Sequence, residues 1–318
     1  MEGVYTDVNL NEYDLPSCKR CSNSGQRLAG EDGICPEVRS VLDGEILRCV
    51  GPWAHEKIFY LVRYFHIFAK GMFNKWNGNL RYIEVCSGPG RCSNREGVEQ
   101  DGTALAIVKH DTFKYVQRAL FIDYNESVVN VLNQRIVKLG IDNKATALVG
   151  DFNQPTELFK VIKNDAFNGL SLCLIDPTEC NIPFESIRQI YLATNRKCDF
   201  LISVFDGVDF MRNAVAATLD PAYSKVKKKY EDFLGDSKFF AREDVKDAAK
   251  RNSSKDITII FRRVYQEKFA SLGLMYCDWK PVKNFYHLFY VSANPRGLDF
   301  WKKSCAVEPT GQSFFPGF

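Results

Sequence analysis

The segment Tyr82-Ile-Glu-Val-Cys-Ser-Gly-Pro-Gly90 sets a carboxylate, Glu84, four residues ahead of a Gly-x-Gly turn at the end of an apolar run. Glycines at 88 and 90 let the backbone turn tightly and approach a ligand that a Cβ would displace. Position 93 is Ser93, where a dinucleotide fingerprint needs a third glycine for close helix packing. Two more acids close apolar runs: Asp123 ends ALFID and Asp151 ends ALVGD. A carboxylate offers two acceptors to a ribose diol, which suits Asp123. Asp151 suits an adenine amine, with Phe152 beside it to stack on the ring. Glu84 suits an amino group, reached directly or through water. Together with Ser87, Gly88, Pro89 and Gly90, these residues describe a site for a nucleoside that carries an amino acid and no phosphate. S-adenosylmethionine is such a ligand. The competing reading is that each acid caps the helix after it, and that Gly-Pro-Gly is an ordinary turn.

A fourth apolar run ends Leu174-Ile-Asp-Pro-Thr-Glu-Cys180. An acid followed by proline at such a strand end suits methyl transfer to an exocyclic base amine. That nitrogen's lone pair is delocalised into the ring. Accepting its protons at Asp176 and at the Pro177 carbonyl makes it more tetrahedral and nucleophilic, and positioning against a sulfonium supplies most of the acceleration. An aromatic normally follows to stack on a flipped base. Here Thr178 and Glu179 follow, so Phe184 or Phe205 is the candidate stacker. The alternative is that Asp176-Pro177 only ends a strand.

Cys18-x-x-Cys21 has the bite of a metal knuckle, and Cys35 and Cys49 could complete a four-thiolate zinc site. A Gly/Ser-rich segment with little core of its own gains folding energy from such a staple. An iron–sulfur cluster and unligated thiols are the other readings. Cys86 and Cys92 flank the glycine loop and are read as structural. The chain has 11 cysteines, an odd number, and no leader pattern precedes them, which points to a reducing cytoplasm. The four histidines are scattered and form no ligand pattern.

Holding these residues in place requires a sheet. Apolar runs at Leu80–Val85, Ala119–Ile122, Ala145–Val149, Ser171–Ile175 and Asp199–Val204 alternate with amphipathic segments near Asn125–Leu139 and Phe184–Ala193. Near-continuous apolar strands separated by helices imply a parallel sheet covered on both faces. Leu274–Asp278 and Phe285–Val291 read as a closing antiparallel hairpin. The expected fold class is therefore α/β, a Rossmann-like class I methyltransferase fold with a small N-terminal zinc-binding-like module and a helical insertion. The expected divisions are 1–50 for the cysteine-rich module, 51–205 for the first part of the core, 206–255 for a helical cap, and 256–318 for completion of the core. A helix is expected over Ala54–Phe73, and Arg91–Asp101 reads as a polar loop before a helix starting near Thr103. Net charge is only +3, and no apolar run approaches a membrane span. Lys225–Arg263 is locally basic, with Arg242, Lys246 and Lys250 on one helix face. Such a face follows a phosphate backbone or is a solvated surface laced with ion pairs.

The chain resembles the three-Cys-motif partner protein family of bacteria. The resemblance runs through Gly51-Pro-Trp-Ala54 with Lys57, Tyr82–Gly90 with Arg91, Asp176-Pro177, Ile182-Pro183 and Ser292–Trp301 (SANPRGLDFW). It departs at Cys86-Ser87, where the family has Phe-Ala or similar, and at Thr178-Glu179, where it often has Phe-Gly. The resemblance implies a class I methyltransferase fold and a functional partner, a three-cysteine-motif protein of radical type. The leading expectation is S-adenosylmethionine-dependent methyl transfer to nucleic acid. The others are a substrate-presenting nucleic-acid-binding subunit and a nuclease using Asp123, Asp151 and Asp176 around a metal.

Overall fold

A computed structural model describes residues 12–15, 29–30, 33–51, 53–94, 97–283 and 285–309. The chain forms two compact units, one from Met1–Val149 with Asp299–Phe318 and the other from Gly150–Leu298. Within both, strands alternate with helices, and the larger strands pair mostly in parallel.

The first unit opens with β1 (Tyr13–Asp14), β2 (Ile34–Arg39) and β3 (Ile46–Val50). Helix α1 (Ala54–Phe73) follows with the expected bounds, and its Ile58, Leu61, Val62, Phe65, Phe68 and Ala69 are all buried. Tyr64 of α1 meets Trp301 edge-on at 5.7 Å, and Arg63 Nε donates to the Ser304 carbonyl at 3.2 Å. Strand β4 (Leu80–Val85) is buried along its whole length, as a strand covered on both faces must be.

The next segment departs from the expected loop. Arg91–Asn94 and Val98–Asp101 are strands β5 and β6, paired antiparallel. Strand β5 also pairs in parallel with β3, Arg48 opposite Cys92, so a five-stranded sheet runs β1-β6-β5-β3-β2. The hairpin is polar in sequence because charge pairing stabilises its buried side. Arg91 bonds both Glu99 and Asp101, Lys109 Nζ reaches Asp101 at 2.8 Å, and Ser40 Oγ donates to Glu99 at 2.7 Å. Pro36 is tolerated because β2 lies at the sheet edge. The unit continues with α2 (Thr103–Val108), β7 (Arg118–Asp123), α3 (Glu126–Lys138) and β8 (Ala145–Val149), and β4, β7 and β8 lie side by side in parallel.

The second unit contains α4 (Pro155–Asn164), β9 (Leu170–Ile175), α5 (Phe184–Ala193) and β10 (Cys198–Val204), with β9 and β10 parallel. A π-helical turn, Asp206–Phe210, leads into α6 (Met211–Leu219), α7 (Ser224–Leu234), α8 (Glu243–Lys250) and α9 (Ser254–Ser271). The closing hairpin is β11 (Tyr276–Val282) and β12 (Tyr286–Ser292), antiparallel to each other, with β12 antiparallel to β10. Pro281 lies in β11, at the edge of the order β10-β12-β11. Among the described residues, no helix is long and apolar enough to cross a membrane.

Candidate functional site

Strand β4 ends in a loop whose residues Cys86, Gly88 and Gly90 have φ of +66°, +65° and +87°. The Cys86 and Ser87 N–H groups donate to the Ile122 carbonyl at 2.9 and 3.2 Å. Gly88 N–H donates to Asp123 Oδ2 at 3.0 Å, and Asn125 N–H to Oδ1 at 3.1 Å. The helix after Asp123 is capped by Asn125, whose Oδ1 accepts from the Ser127 and Val128 N–H groups. The helix-cap reading of Asp123 therefore fails. Its carboxylate holds the glycine loop.

The loop is also gripped from behind by two arginines that sequence reading did not find. Arg48 Nη1 donates to the Cys86 carbonyl at 3.2 Å, and Arg135 Nη1 to the Pro89 carbonyl at 2.6 Å. The two glycines differ in role. A Cβ on Gly90 would lie 2.8 Å from Leu132 Cδ1 and 3.0 Å from Leu105 Cγ, so this glycine lets the loop pack on the protein. A Cβ on Gly88 meets only the Arg48 side chain, at 3.4 Å, so backbone conformation is what requires glycine there. Ser87 is buried, and its Oγ has no hydrogen-bond partner among the described residues. An orphaned buried hydroxyl is costly unless something pairs with it.

Glu84 is fully buried, accepting from Tyr82 Oη at 2.9 Å and from the Thr103 hydroxyl. Cys92 is buried in β5, and burial pushes its thiol up to about 11, in keeping with a structural role. The first unit thus brings Glu84, Ser87, Gly88, Pro89, Gly90 and Asp123 together, whereas Asp151, Phe152, Asp176 and Pro177 belong to the second.

In the second unit, Asp151 Oδ1 accepts from Asn153 N–H at 2.8 Å, closing a turn ahead of α4. Phe152 is half-buried, and its carbonyl accepts from the Ser186 hydroxyl. Asp176 and Pro177 are buried, with Ser203 Oγ donating to Asp176 Oδ1 at 2.7 Å. Thr178 and Glu179 are exposed, and Glu179 pairs with Lys229 at 3.0 Å. Both candidate stackers already have ring partners. Phe184 packs edge-on against Tyr265 and Phe269, and Phe205 stacks on Tyr286 at 4.8 Å.

The π-helical turn after β10 carries two acids with separate partners. Asp209 accepts from Lys229 Nζ at 2.9 Å, Tyr230 Oη at 2.8 Å and Cys180 N–H at 2.9 Å. Asp206, fully buried, bonds Arg262 Nε at 2.5 Å and His287 Nδ1 at 2.8 Å. Nothing local in the sequence announces this trio.

The proposed zinc ligands divide. Cys18 and Cys21 lie outside the described residues, while Cys35 and Cys49 are buried in a small apolar cluster with Leu15, Val38 and Leu47. Among the described residues, no group of three or more His, Cys, Asp or Glu is placed to hold a metal ion. On the basic helix, Arg242 pairs with Asp244, Lys246 with Glu243 and Lys250 with Asp247.

No family model matches the chain, and no curated protein matches it. Solved structures similar to it include TrmK of M. capricolum in complex with S-adenosylhomocysteine, at 10% identity and TM-score 0.33, covering 71% of this chain and 67% of that one. Cofactor-bound Rv0187 from MTB has 11% identity and TM-score 0.39, covering 72% and 77%. A fibrillarin/Nop5p complex has 12% identity and TM-score 0.36, covering 81% and 92%. Likeness at this level assigns neither fold nor activity, so the reading below rests on the geometry of the loop.

Proposed function

We propose that the chain is an S-adenosylmethionine-dependent methyltransferase. The observation that carries this is the loop Ser87–Gly90. It turns through left-handed backbone, is tied at Gly88 to a carboxylate that caps no helix, and holds at Ser87 a buried hydroxyl with no partner among the described residues. These groups fit a nucleoside with an amino-acid tail. Asp123 keeps lone pairs for a ribose diol beyond its two backbone contacts, and Ser87 offers a donor and acceptor that nothing in the described protein uses. Asp151 with Phe152 is assigned to the adenine, and Glu84 to the amino group, reached directly or through water. When bound, the sulfonium supplies an activated methyl group, and the chain's part is to hold and orient it.

On the acceptor side, the reading assigns Asp176 and the Pro177 carbonyl to an exocyclic amine of a nucleic-acid base. It includes a three-cysteine-motif partner protein, zinc on Cys18, Cys21, Cys35 and Cys49, and a cytoplasmic setting. Metal analysis of the purified chain tests the zinc assignment.

Calorimetric titration with S-adenosylmethionine tests the central claim. Binding is expected, weakened about 10- to 100-fold in Asp123→Ala, as loss of hydrogen bonds to a charged group would do. No binding by the unaltered chain would remove the methyltransferase reading and leave the substrate-presenting one.

A further inference from the structure

Phe184 and Phe205 are the two rings that the sequence offers for the stacking position left open at Thr178 and Glu179, and their surroundings differ. Phe184 is 7% exposed, its ring edge-on to Tyr265 and Phe269, and a Cβ on Gly235 would lie 3.0 Å from its own Cβ. That ring is core. Phe205 is half-buried, and among the described residues its ring has one aromatic partner, Tyr286, stacked at 4.8 Å with 21° between the planes. Tyr286 is 1% exposed, so it backs Phe205 from the inside, and the surface left open belongs to Phe205.

The sheet puts this ring beside Asp176. Strands β9 and β10 run parallel with Ile175 opposite Ile202, so Asp176 and Ser203 follow as neighbours, and Ser203 Oγ donates to Asp176 Oδ1 at 2.7 Å. Ser203 also lies opposite Leu288 of β12. Leu288 and Tyr286 are two residues apart in that strand and point to one face. Phe205, stacked on Tyr286, therefore shares a face with Ser203 and Asp176, about 7 Å further along the chain than Ser203. All three sit at the carboxyl ends of parallel strands, where open α/β sheets bind ligands. The backbone of Phe205 is fixed as well. Its carbonyl accepts from the Asp209 and Phe210 N–H groups, at 3.0 and 3.2 Å, as the π-helical turn begins, and Val208 N–H ties that turn to the Phe285 carbonyl at 3.0 Å. Such turns are concentrated at functional sites.

We propose that Phe205, backed by Tyr286, is the stacking platform for the acceptor base whose exocyclic amine is assigned to Asp176. This rests on the methyltransferase reading and narrows its substrate to an unpaired base, in a single-stranded or extruded nucleotide. A base inside a duplex has both faces covered by its neighbours and its amine engaged in pairing, so a stacking ring and a carboxylate reach it only once it has left the stack. A base lying on Phe205 presents its amine protons in the ring plane, beside the platform, and the carboxylate that accepts them belongs there and not beneath the ring. The two residues divide the recognition. Every base has a π-face, so Phe205 is indifferent to identity, and Asp176 selects those bases that carry an amine.

Fluorescence anisotropy with short single-stranded RNA and DNA oligonucleotides of mixed sequence tests this over a series of salt concentrations. The unaltered chain should bind at least one of the two, and Phe205→Leu should bind it about 5- to 150-fold more weakly, the span of one base–aromatic stack. The slope of log affinity against log salt should be the same for both proteins, because stacking releases no counterions. A second arm needs no variant to fold. Ultraviolet cross-linking of the unaltered chain to an oligonucleotide carrying 5-iodocytosine, with the modified peptide identified by mass spectrometry, should mark Phe205. Equal affinity in a folded Phe205→Leu, a loss accompanied by a change in salt slope, cross-links only at other residues, or binding of neither oligonucleotide would each overturn the proposal. Calorimetry with S-adenosylmethionine is read separately: without cofactor binding the methyltransferase reading falls, while the cross-link and the Phe205→Leu comparison still decide whether the platform exists.

Discussion

Arg135 and Asp43 form a two-pronged ion pair, Nε to Oδ2 at 2.8 Å and Nη2 to Oδ1 at 2.9 Å, and the remaining nitrogen of Arg135 holds the Pro89 carbonyl. Both side chains are buried, and the arginine beside Asp43 holds its carboxyl well below the usual carboxylate range. A bidentate pair fixes direction as well as distance. The residue between the N-terminal strands β2 and β3 thus sets the shape of the candidate cofactor loop through one guanidinium.

Breaking this pair should be expensive. Asp43→Ala or Arg135→Gln leaves the other partner's buried charge uncompensated or its hydrogen bonds unmade, a loss of about 3–5 kcal/mol. Urea unfolding measures it, and the double variant should lose less than the sum of the singles because the two sites are coupled. At a temperature where both stay folded, each should also bind S-adenosylmethionine more weakly, since the Pro89 carbonyl is no longer held.

Acid should destabilise the first unit in two stages. Burial, with help from Lys70 and His110, lowers His66 to about 4, and His110 is lowered as well, mainly by burial. Their rings lie 5.3 Å apart. The unfolded chain takes up a proton near the ordinary histidine value of about 6.5 while folded His66 resists until about 4. Stability is therefore complete above about pH 6.5 and falls as pH drops toward 4. His66→Gln should flatten that stretch of a stability–pH curve. Asp43 acts lower down: its stabilisation is present above the unfolded carboxylate value of about 3.9 and is lost as pH falls through its depressed folded value.

The loop glycines should separate by readout. Gly88→Ala places a side chain in left-handed backbone, a strain of about 1–2 kcal/mol, and its main effect should be on cofactor affinity. Gly90→Ala adds collision with Leu132 and Leu105 to similar strain, so thermal unfolding should register a loss of about 2–5 kcal/mol. Equal stability losses in the two variants would contradict this division.

Gly297 gives a comparable test in the segment Ser292–Trp301. An added Cβ would lie 2.4 Å from Tyr290 Oη and 2.9 Å from Ser292 Oγ, the hydroxyls that donate to Asp199 at 3.1 and 2.7 Å. Gly297→Ala should lower the unfolding midpoint in urea by disrupting a buried carboxylate's donors, with Asp199→Asn less severe because the amide oxygen still accepts.

Much of the scaffold was legible because burial and local pattern agree. Leu80–Val85 and Ala145–Val149 are apolar runs that became strands with those bounds, and Ala54–Phe73 and Phe184–Ala193 became helices with theirs. The hairpin β5–β6 was not legible. Its buried side is charged, and Arg91 finds its carboxylates only once the strands pair. Strand β11 begins later than expected and runs through Lys280 and Pro281, residues an edge strand tolerates. At the candidate site, Asp123 and the glycines announced themselves by strand-end position. Arg48, Arg135 and the Asp206–His287 pair could not, because each meets its partner across a long stretch of chain.

The parallel pairing of β3 with β5 also bears on how this chain is made. As it leaves the ribosome, β3 emerges with an open edge, and the strand that covers it appears only after α1 and β4 have followed. Until then, Asp43 and Arg48 also lack Arg135 and the loop carbonyl they hold in the finished fold. Residues 33–50 are thus synthesised ahead of α1 and β4 and completed only after them. A truncation that removes them would expose the edge of β5 and leave Arg135 unpaired, so such a fragment should aggregate rather than fold as a trimmed core.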